Sequence, residues 1–490
     1  MADQTSNAFD VLIIGAGISG INAAYRLQEQ TPDRTYAILE ARHSIGGTWD
    51  LFKYPGIRSD SDLHTFGFPF RPWEKENAIA DGQSIKSYME DTMHQFGIDQ
   101  HILYHHKLLS ANWSTDGQHW GLSVDHEGTK KQFHAKFVIF CTGYYDYNEA
   151  LPAKIPGIDN FQGQVIHPQF WPEDLDYQDK DIVIIGSGAT AITLLPNLAK
   201  GGAGHVTMLQ RSPTYIVALP QVNKLAYWTR RILPLNWALK VIRFQSIVLP
   251  FLFFKFCQAF PERAKRGLEK GVRAQLPEGY PIDPDFKPSY NPWDQRLCVS
   301  PDGDFYECLR HGKSSIVTAN IKQVNEKSIH LKDSDKVLTP DIIITATGLK
   351  IMVAGGAKLS VDNEEVHVPQ KHLWKGVMLE DVPNAAFAFG YTNASWTLGS
   401  DASAQFVTRL LNKMKRDNIT QAVAKVDRTT GLQDRSIFNL TSTYVKEAEG
   451  DLPKAGDRAP WLRRSHYLRD LWEARYGDMS KEMIYSRIST

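Results

Sequence analysis

Cysteine is scarce in this chain. Its four thiols, Cys141, Cys257, Cys298 and Cys308, form no CxxC pair, and the nearest two have nine residues between them. Neither a disulfide scaffold nor a dithiol redox centre is therefore expected, and the pattern suits a reducing compartment. A surplus of one charge is also lacking, since 55 basic and 55 acidic side chains cancel over 490 residues. Without excess Lys and Arg to displace phosphate counterions, no nucleic-acid partner is expected. Long apolar runs are missing too. The most apolar stretch, residues 247–254 (IVLPFLFF), is interrupted by Pro250 and is far shorter than the roughly 18 residues a membrane span needs. No transmembrane span is expected. The stretch reads as a buried or substrate-facing helix end, with peripheral membrane contact or self-association as the competing readings. The opening MADQTSNAF carries neither the basic nor the apolar region of a secretory signal, so a cytoplasmic location is expected. The histidines show no HExxH spacing and no GxSxG elbow occurs, which argues against a metal site and against acyl transfer.

What is present is a duplicated pattern. Residues 10–41 read as an apolar strand, a Gly-rich turn, an amphipathic helix and a second strand, and residues 181–212 repeat that order. Each is a βαβ unit, the building block of a parallel sheet. Pro196, late in the second helix, is expected to kink or shorten it. Two further strands close on Thr-Gly, KFVIFCTG at 136–143 and DIIITATG at 341–348. The expected fold is α/β, with two dinucleotide-binding (Rossmann-like) domains, the second inserted in the first. Residues 1–147 would open the first domain. Residues 148–348 would form the second, with a helical excursion at about 213–295, and 349–490 would complete the first and add a C-terminal region.

The turns indicate which nucleotides are bound. Gly15, Gly17 and Gly20 form GxGxxG between strand and helix, which lets a pyrophosphate approach the backbone at a helix N-terminus. Glu40 follows at the end of the next strand, where a carboxylate binds a ribose diol and repels a 2′-phosphate. FAD fits this site. The second turn has Gly186 and Gly188, followed by Ala189 and Thr190 where the helix starts. Its second strand ends in Arg211 and Ser212, so a guanidinium and a hydroxyl replace the acid, and NADPH is expected over NADH.

Two longer motifs carry a family resemblance. Phe161, Gly163, His167, Trp171 and Pro172 satisfy FxGxxxHxxxWP, and Gly46-Gly47-Thr48-Trp49 through Tyr54-Pro55-Gly56 to Asp60 satisfies GGxWxxxxYPGxxxD. In both respects the chain resembles the Baeyer–Villiger monooxygenases, over nearly its whole length. The resemblance implies an FAD-containing enzyme that uses NADPH and O2 to convert ketones to esters or lactones through a C4a-peroxyflavin, with sulfoxidation of thioethers and thioamides alongside. It implies that Arg296 holds the peroxide anionic and that Asp60 pairs with Arg296. Gly47, Thr48 and Trp49 would belong to the flavin site. His167 and Trp171, in a linker, would serve as a hinge rather than touch substrate. One position departs from the family. Gln295 stands where many members have a Lys for the NADPH phosphate, so Arg211 and Ser212 carry more of that contact. The turn containing Asn393 reads equally as a flavin-facing segment or a plain loop. Two alternatives stay open: a flavin N/S-oxygenase without ketone activity, and a slow flavin-bound redox sensor.

Overall fold

The computed structural model describes residues 7–332, 334–438 and 442–488. Both βαβ units form where the periodicity changes from strand to helix. In the first, strand Ala8–Ile14 leads into helix Ile18–Gln30 and then strand Tyr36–Leu39. Val11, Leu12 and Ile13 are wholly buried, as a parallel strand covered on both faces requires. These strands belong to a nine-stranded sheet. Strand Thr129–Phe140 completes an antiparallel meander with His106–Ser114 and His119–His126, then runs parallel to Ala8–Ile14. Strand Ala385–Phe387, from the far side of the second unit, joins the same sheet beside Thr129–Phe140.

The second unit builds a separate five-stranded parallel sheet. Its order is Ser314–Thr318, His205–Gln210, Asp181–Ile185, Ile342–Thr345, Gln164–Ile166. The first sheet thus takes strands from both sides of the segment that makes the second. Pro196 does not shorten the helix as expected. Helix Ala189–Lys200 runs through it, and the Asn197 amide donates to the Thr193 carbonyl at 2.7 Å within the same turn.

The excursion opens with a strand, Ile216–Leu219, paired in parallel with Cys298–Pro301. Helices Lys224–Ile232, Leu235–Ala259 and Pro261–Arg273 follow. The short apolar run noted above is therefore the middle of a 25-residue helix. Among the described residues this is the one helix long and apolar enough, by length and composition, to cross a membrane. The apolar stretch is thus longer than residues 247–254 alone indicate, and length and composition alone do not make it a span. Pro250 lies inside the helix and does not end it.

The two sheets are joined by the first domain's own loop. Phe52 and Tyr54 are buried in the core of the second domain with Ile184 and Leu195. Gly56 has φ +77°, and a Cβ there would stand 2.0 Å from the Asn197 amide. The YPG signature is thus a contact between domains. The C-terminal region is less polar inside than its composition suggests. Trp461 is fully buried, and strand Met483–Ser486 pairs with Gln421–Ala424.

Candidate active site between two nucleotide crevices

In each crevice the chain leaves backbone donors available to an anion. Helices Ile18–Gln30 and Ala189–Lys200 begin at Gly17 and Gly188, and neither cap residue makes a side-chain capping bond. Their first N–H groups therefore face outward with the positive end of the helix dipole. Packing separates the roles of the glycines. A Cβ on Gly20 would stand 1.9 Å from the Gly15 carbonyl oxygen, and one on Gly186 would stand 2.2 Å from that of Ala346. Those two are needed for close approach of helix or strand. A Cβ on Gly188 would meet nothing within 4 Å, and one on Gly17 only the Gly47 Cα at 3.9 Å. These two border open space, which is what a pyrophosphate needs. The residues present therefore fit a dinucleotide in each crevice.

The partner residues stand at the strand ends. Glu40 is buried, its carboxylate accepting from the Ala16 N–H at 2.7 Å and the Arg42 N–H at 2.9 Å. Burial pushes its carboxyl up, against those two donors. In the second crevice Ser187 Oγ donates to the Ser212 carbonyl at 3.0 Å, tying the glycine turn to the next strand. Arg211 is exposed and its guanidinium reaches Thr443 Oγ1 at 2.9 Å. Beyond Gly47, Thr48 begins the short helix Thr48–Leu51. Trp49 packs edge-on to Phe66, ring centres 5.5 Å apart.

A cavity of about 1490 Å³ lies between the domains, walled by Asp60 and Arg296, by Ser187, Gly188 and Arg211, and by Asn393. Arg296 is fixed by two backbone carbonyls: its Nε donates to Thr392 O and its Nη2 to Tyr391 O, both at 3.1 Å. Enclosure works against its charge, but Tyr144, Tyr444, Tyr145 and Asp60 around it hold its pKa above the ordinary value. Asp60 behaves differently from the expected partner. Among the described residues no ion pair within 4 Å joins it to Arg296. Burial raises its carboxyl to about 6, and the charges of Arg58 and Arg296 only moderate that rise. Two of the Arg296 N–H donors are directed at the Tyr391–Thr392 backbone, and the two residues share a cavity and a field rather than a salt bridge.

The long fingerprint lies away from this cavity. Strand Gln164–Ile166 is the edge of the second sheet. Phe161 is buried in that domain's second core. A Cβ on Gly163 would stand 2.5 Å from the Asp341 carbonyl. His167 caps the turn Pro168–Phe170, its Nδ1 accepting from the Gln169 N–H at 3.2 Å, and burial lowers its pKa. Trp171 packs partly buried on the second domain, and Pro172 is exposed.

Several residues at the junction had no signal in the sequence. Gln169 is buried and its amide donates to the Asp146 carbonyl at 2.6 Å. Asp146 in turn bonds Lys350 through its backbone N–H at 2.8 Å and its carboxylate at 3.0 Å. The fingerprint thereby holds together the two chain crossings between the domains. Tyr144 and Tyr145 follow the first Thr-Gly, and Trp396 stacks on Tyr144 at 4.9 Å while donating to Ser19 Oγ at 3.0 Å. The turn with Asn393 lines the cavity.

Comparison with known proteins agrees with this architecture. Residues 8–354 match the family described as Flavin-binding monooxygenase-like. The chain is 46% identical over 473 residues to the FAD-containing monooxygenase EthA of Mycobacterium tuberculosis, covering 96% of each chain. It is 46% identical over 473 residues to the probable FAD-binding monooxygenase AlmA of an Acinetobacter species, covering 96% of this chain and 95% of that one. Among solved structures it resembles a steroid monooxygenase bound to NADP, with TM-score 0.75 and 18% identity over 98% of this chain and 100% of that one. It also resembles OTEMO in complex with FAD and NADP, with TM-score 0.73 and 18% identity over 98% and 100%. At that identity the structural likeness shows the fold: two dinucleotide-binding domains in one α/β chain. With the match covering well over half its length, the chain belongs to the flavin-binding monooxygenase family.

Proposed function

We propose that this protein is an FAD-containing, NADPH-dependent Baeyer–Villiger monooxygenase that converts ketones to esters or lactones and also oxidises thioethers and thioamides. The domains would divide near residues 147 and 348. The observation that carries the reading is the position of Arg296 in a cavity walled by both domains, with the second crevice opening into it. The FAD named for the EthA relative and the NADP held by the OTEMO structure support the cofactor pair.

In balance, ketone, O2, NADPH and one proton give ester, NADP+ and water. Bound FAD, reduced by NADPH, supplies the centre at which O2 is activated. The chain's own residues do the rest. Glu40 selects a nucleotide with a free ribose diol, and Arg211 with Ser212 selects one with a 2′-phosphate. Arg296 keeps a permanent positive charge in the cavity, because a guanidinium does not lose its proton at working pH. Its two carbonyl contacts hold it in place before reaction, so little reorganisation accompanies the development of negative charge at the reacting oxygen. Asp60 tunes that charge through space. His167 and Gln169 hold the domain crossings that set the distance between the nucleotides.

Isotopically labelled O2 tests the reaction type. One labelled atom in the ester and one in water is the expected outcome. Label in water and hydrogen peroxide alone, with unlabelled organic product, would refute it.

A further inference from the structure

The excursion carries a surface that the reaction does not explain. Helices Lys224–Ile232 and Leu235–Ala259 leave large apolar side chains in solvent, among them Trp228 (61% exposed), Ile232 (76%), Trp237 (65%), Phe244 (61%) and Leu252. Only four residues of the longer helix are buried: Ala238, Leu239, Ile242 and Cys257. A soluble surface rarely leaves so much contiguous apolar area uncovered.

The same segment is strongly basic. Residues 224–273 hold eleven Lys and Arg against two acids, Glu262 and Glu269, in a chain whose charges cancel overall. Both acids are already answered by Lys265 and Arg273. Several cations sit beside the apolar rings: Arg231 over Tyr227 at 4.9 Å, Lys240 over Trp237 at 5.5 Å, Arg263 over Phe260 at 5.3 Å. Aromatic bodies edged by snorkelling cations suit the boundary between lipid headgroups and acyl chains. The helix cannot cross the bilayer in this fold, because Arg243 donates to the His64 carbonyl at 2.9 Å and the Gly67 carbonyl at 2.7 Å, pinning its middle to the first domain.

We infer that this apolar and basic helical face docks on an anionic lipid bilayer, lying in the interface. Charge complementarity selects that occupant, since a second copy would bring the same positive charge against itself. The face is also a wall of the cavity. Leu225, Leu249, Phe253 and Phe256, on the same two helices, are exposed and line the cavity. On the reading proposed above, apolar substrate would pass from the acyl region into the site without crossing water.

Vesicle flotation of the FAD-loaded protein tests docking without reference to turnover, so failure here and failure of the proposed reaction are separable. The protein should float with vesicles of equal parts phosphatidylcholine and phosphatidylglycerol and bind pure phosphatidylcholine at least tenfold less, because each cation near the surface contributes appreciably. Trp228→Ser/Trp237→Ser/Phe244→Ser should lose at least about tenfold in affinity with its flavin spectrum unchanged. Arg231→Glu/Lys240→Glu/Arg266→Glu should lose about a hundredfold on the anionic vesicles alone. Wild-type protein left at the bottom of the gradient, or variants that float as it does, would overturn the inference. A dimer that both variants convert to monomer, with no flotation, would assign the face to a second copy of this chain and overturn it too.

Discussion

At the scale of single residues, a few charges distinguish the two crevices and the cavity between them. Replacing Arg296 with Ala should lower ester formation by about a hundredfold or more, the usual cost of removing a well-aimed donor. NADPH oxidation should continue with release of hydrogen peroxide, measurable by peroxide assay beside product analysis. Arg211→Gln should raise KM for NADPH at least tenfold and leave KM for NADH nearly unchanged, since only the former carries the 2′-phosphate. Equal changes would remove Arg211 from the phosphate site. Asp60 gives a pH test with a definite sign. Its folded pKa, about 6, lies above the ordinary 3.8, so the fold favours the protonated form. Stability then falls as pH rises between those two values and is flat above them, at a cost of as much as about 3 kcal/mol. Asp60→Asn should therefore raise the thermal midpoint relative to wild type at about pH 8, with the gain shrinking toward about pH 4. A gain independent of pH would contradict the cause assigned to that shift.

Among the elements, the parallel strands and glycine turns were legible because their signals are local. A buried parallel strand reads as a continuous apolar run, and a pyrophosphate turn needs glycines at fixed offsets. Glu40 and Arg211 could be placed by counting along the next strand. The cradle of Arg296 could not. Its partners are carbonyl oxygens at Tyr391 and Thr392, and backbone carbonyls leave no mark on a sequence. The three tyrosines around it lie in two segments, each some 150 residues from Arg296 in the chain and on opposite sides of it, at a junction made only by folding. The helix Leu235–Ala259 was underestimated because Pro250 and scattered cations break the hydropathy pattern without breaking the helix. The fingerprint is an element-scale device, reaching the crossings through Gln169 and Asp146. His167→Ala should loosen that turn and lower product formed per NADPH while leaving FAD content unchanged. Unaltered coupling and turnover would argue that the motif is only a packing feature.

Taken as one molecule, the protein sets two anion-binding crevices on two sheets and fixes their separation with a domain-crossing knot of short loops. The first domain inserts Phe52 and Tyr54 into the other domain's core, so neither crevice is positioned by its own sheet alone. The charge balance of the whole chain conceals a basic helical face, because the cations of residues 224–273 are offset by acids elsewhere in the sequence. On the function proposed above, electrons from NADPH and one atom of O2 meet a carbonyl in the cavity beside Arg296. The most direct measurement is product formed per NADPH consumed by the FAD-loaded protein, with a small ketone and, separately, a thioether. Ester in near-stoichiometric yield from the ketone is the predicted result. Sulfoxide from the thioether with no ester from the ketone would contradict the account.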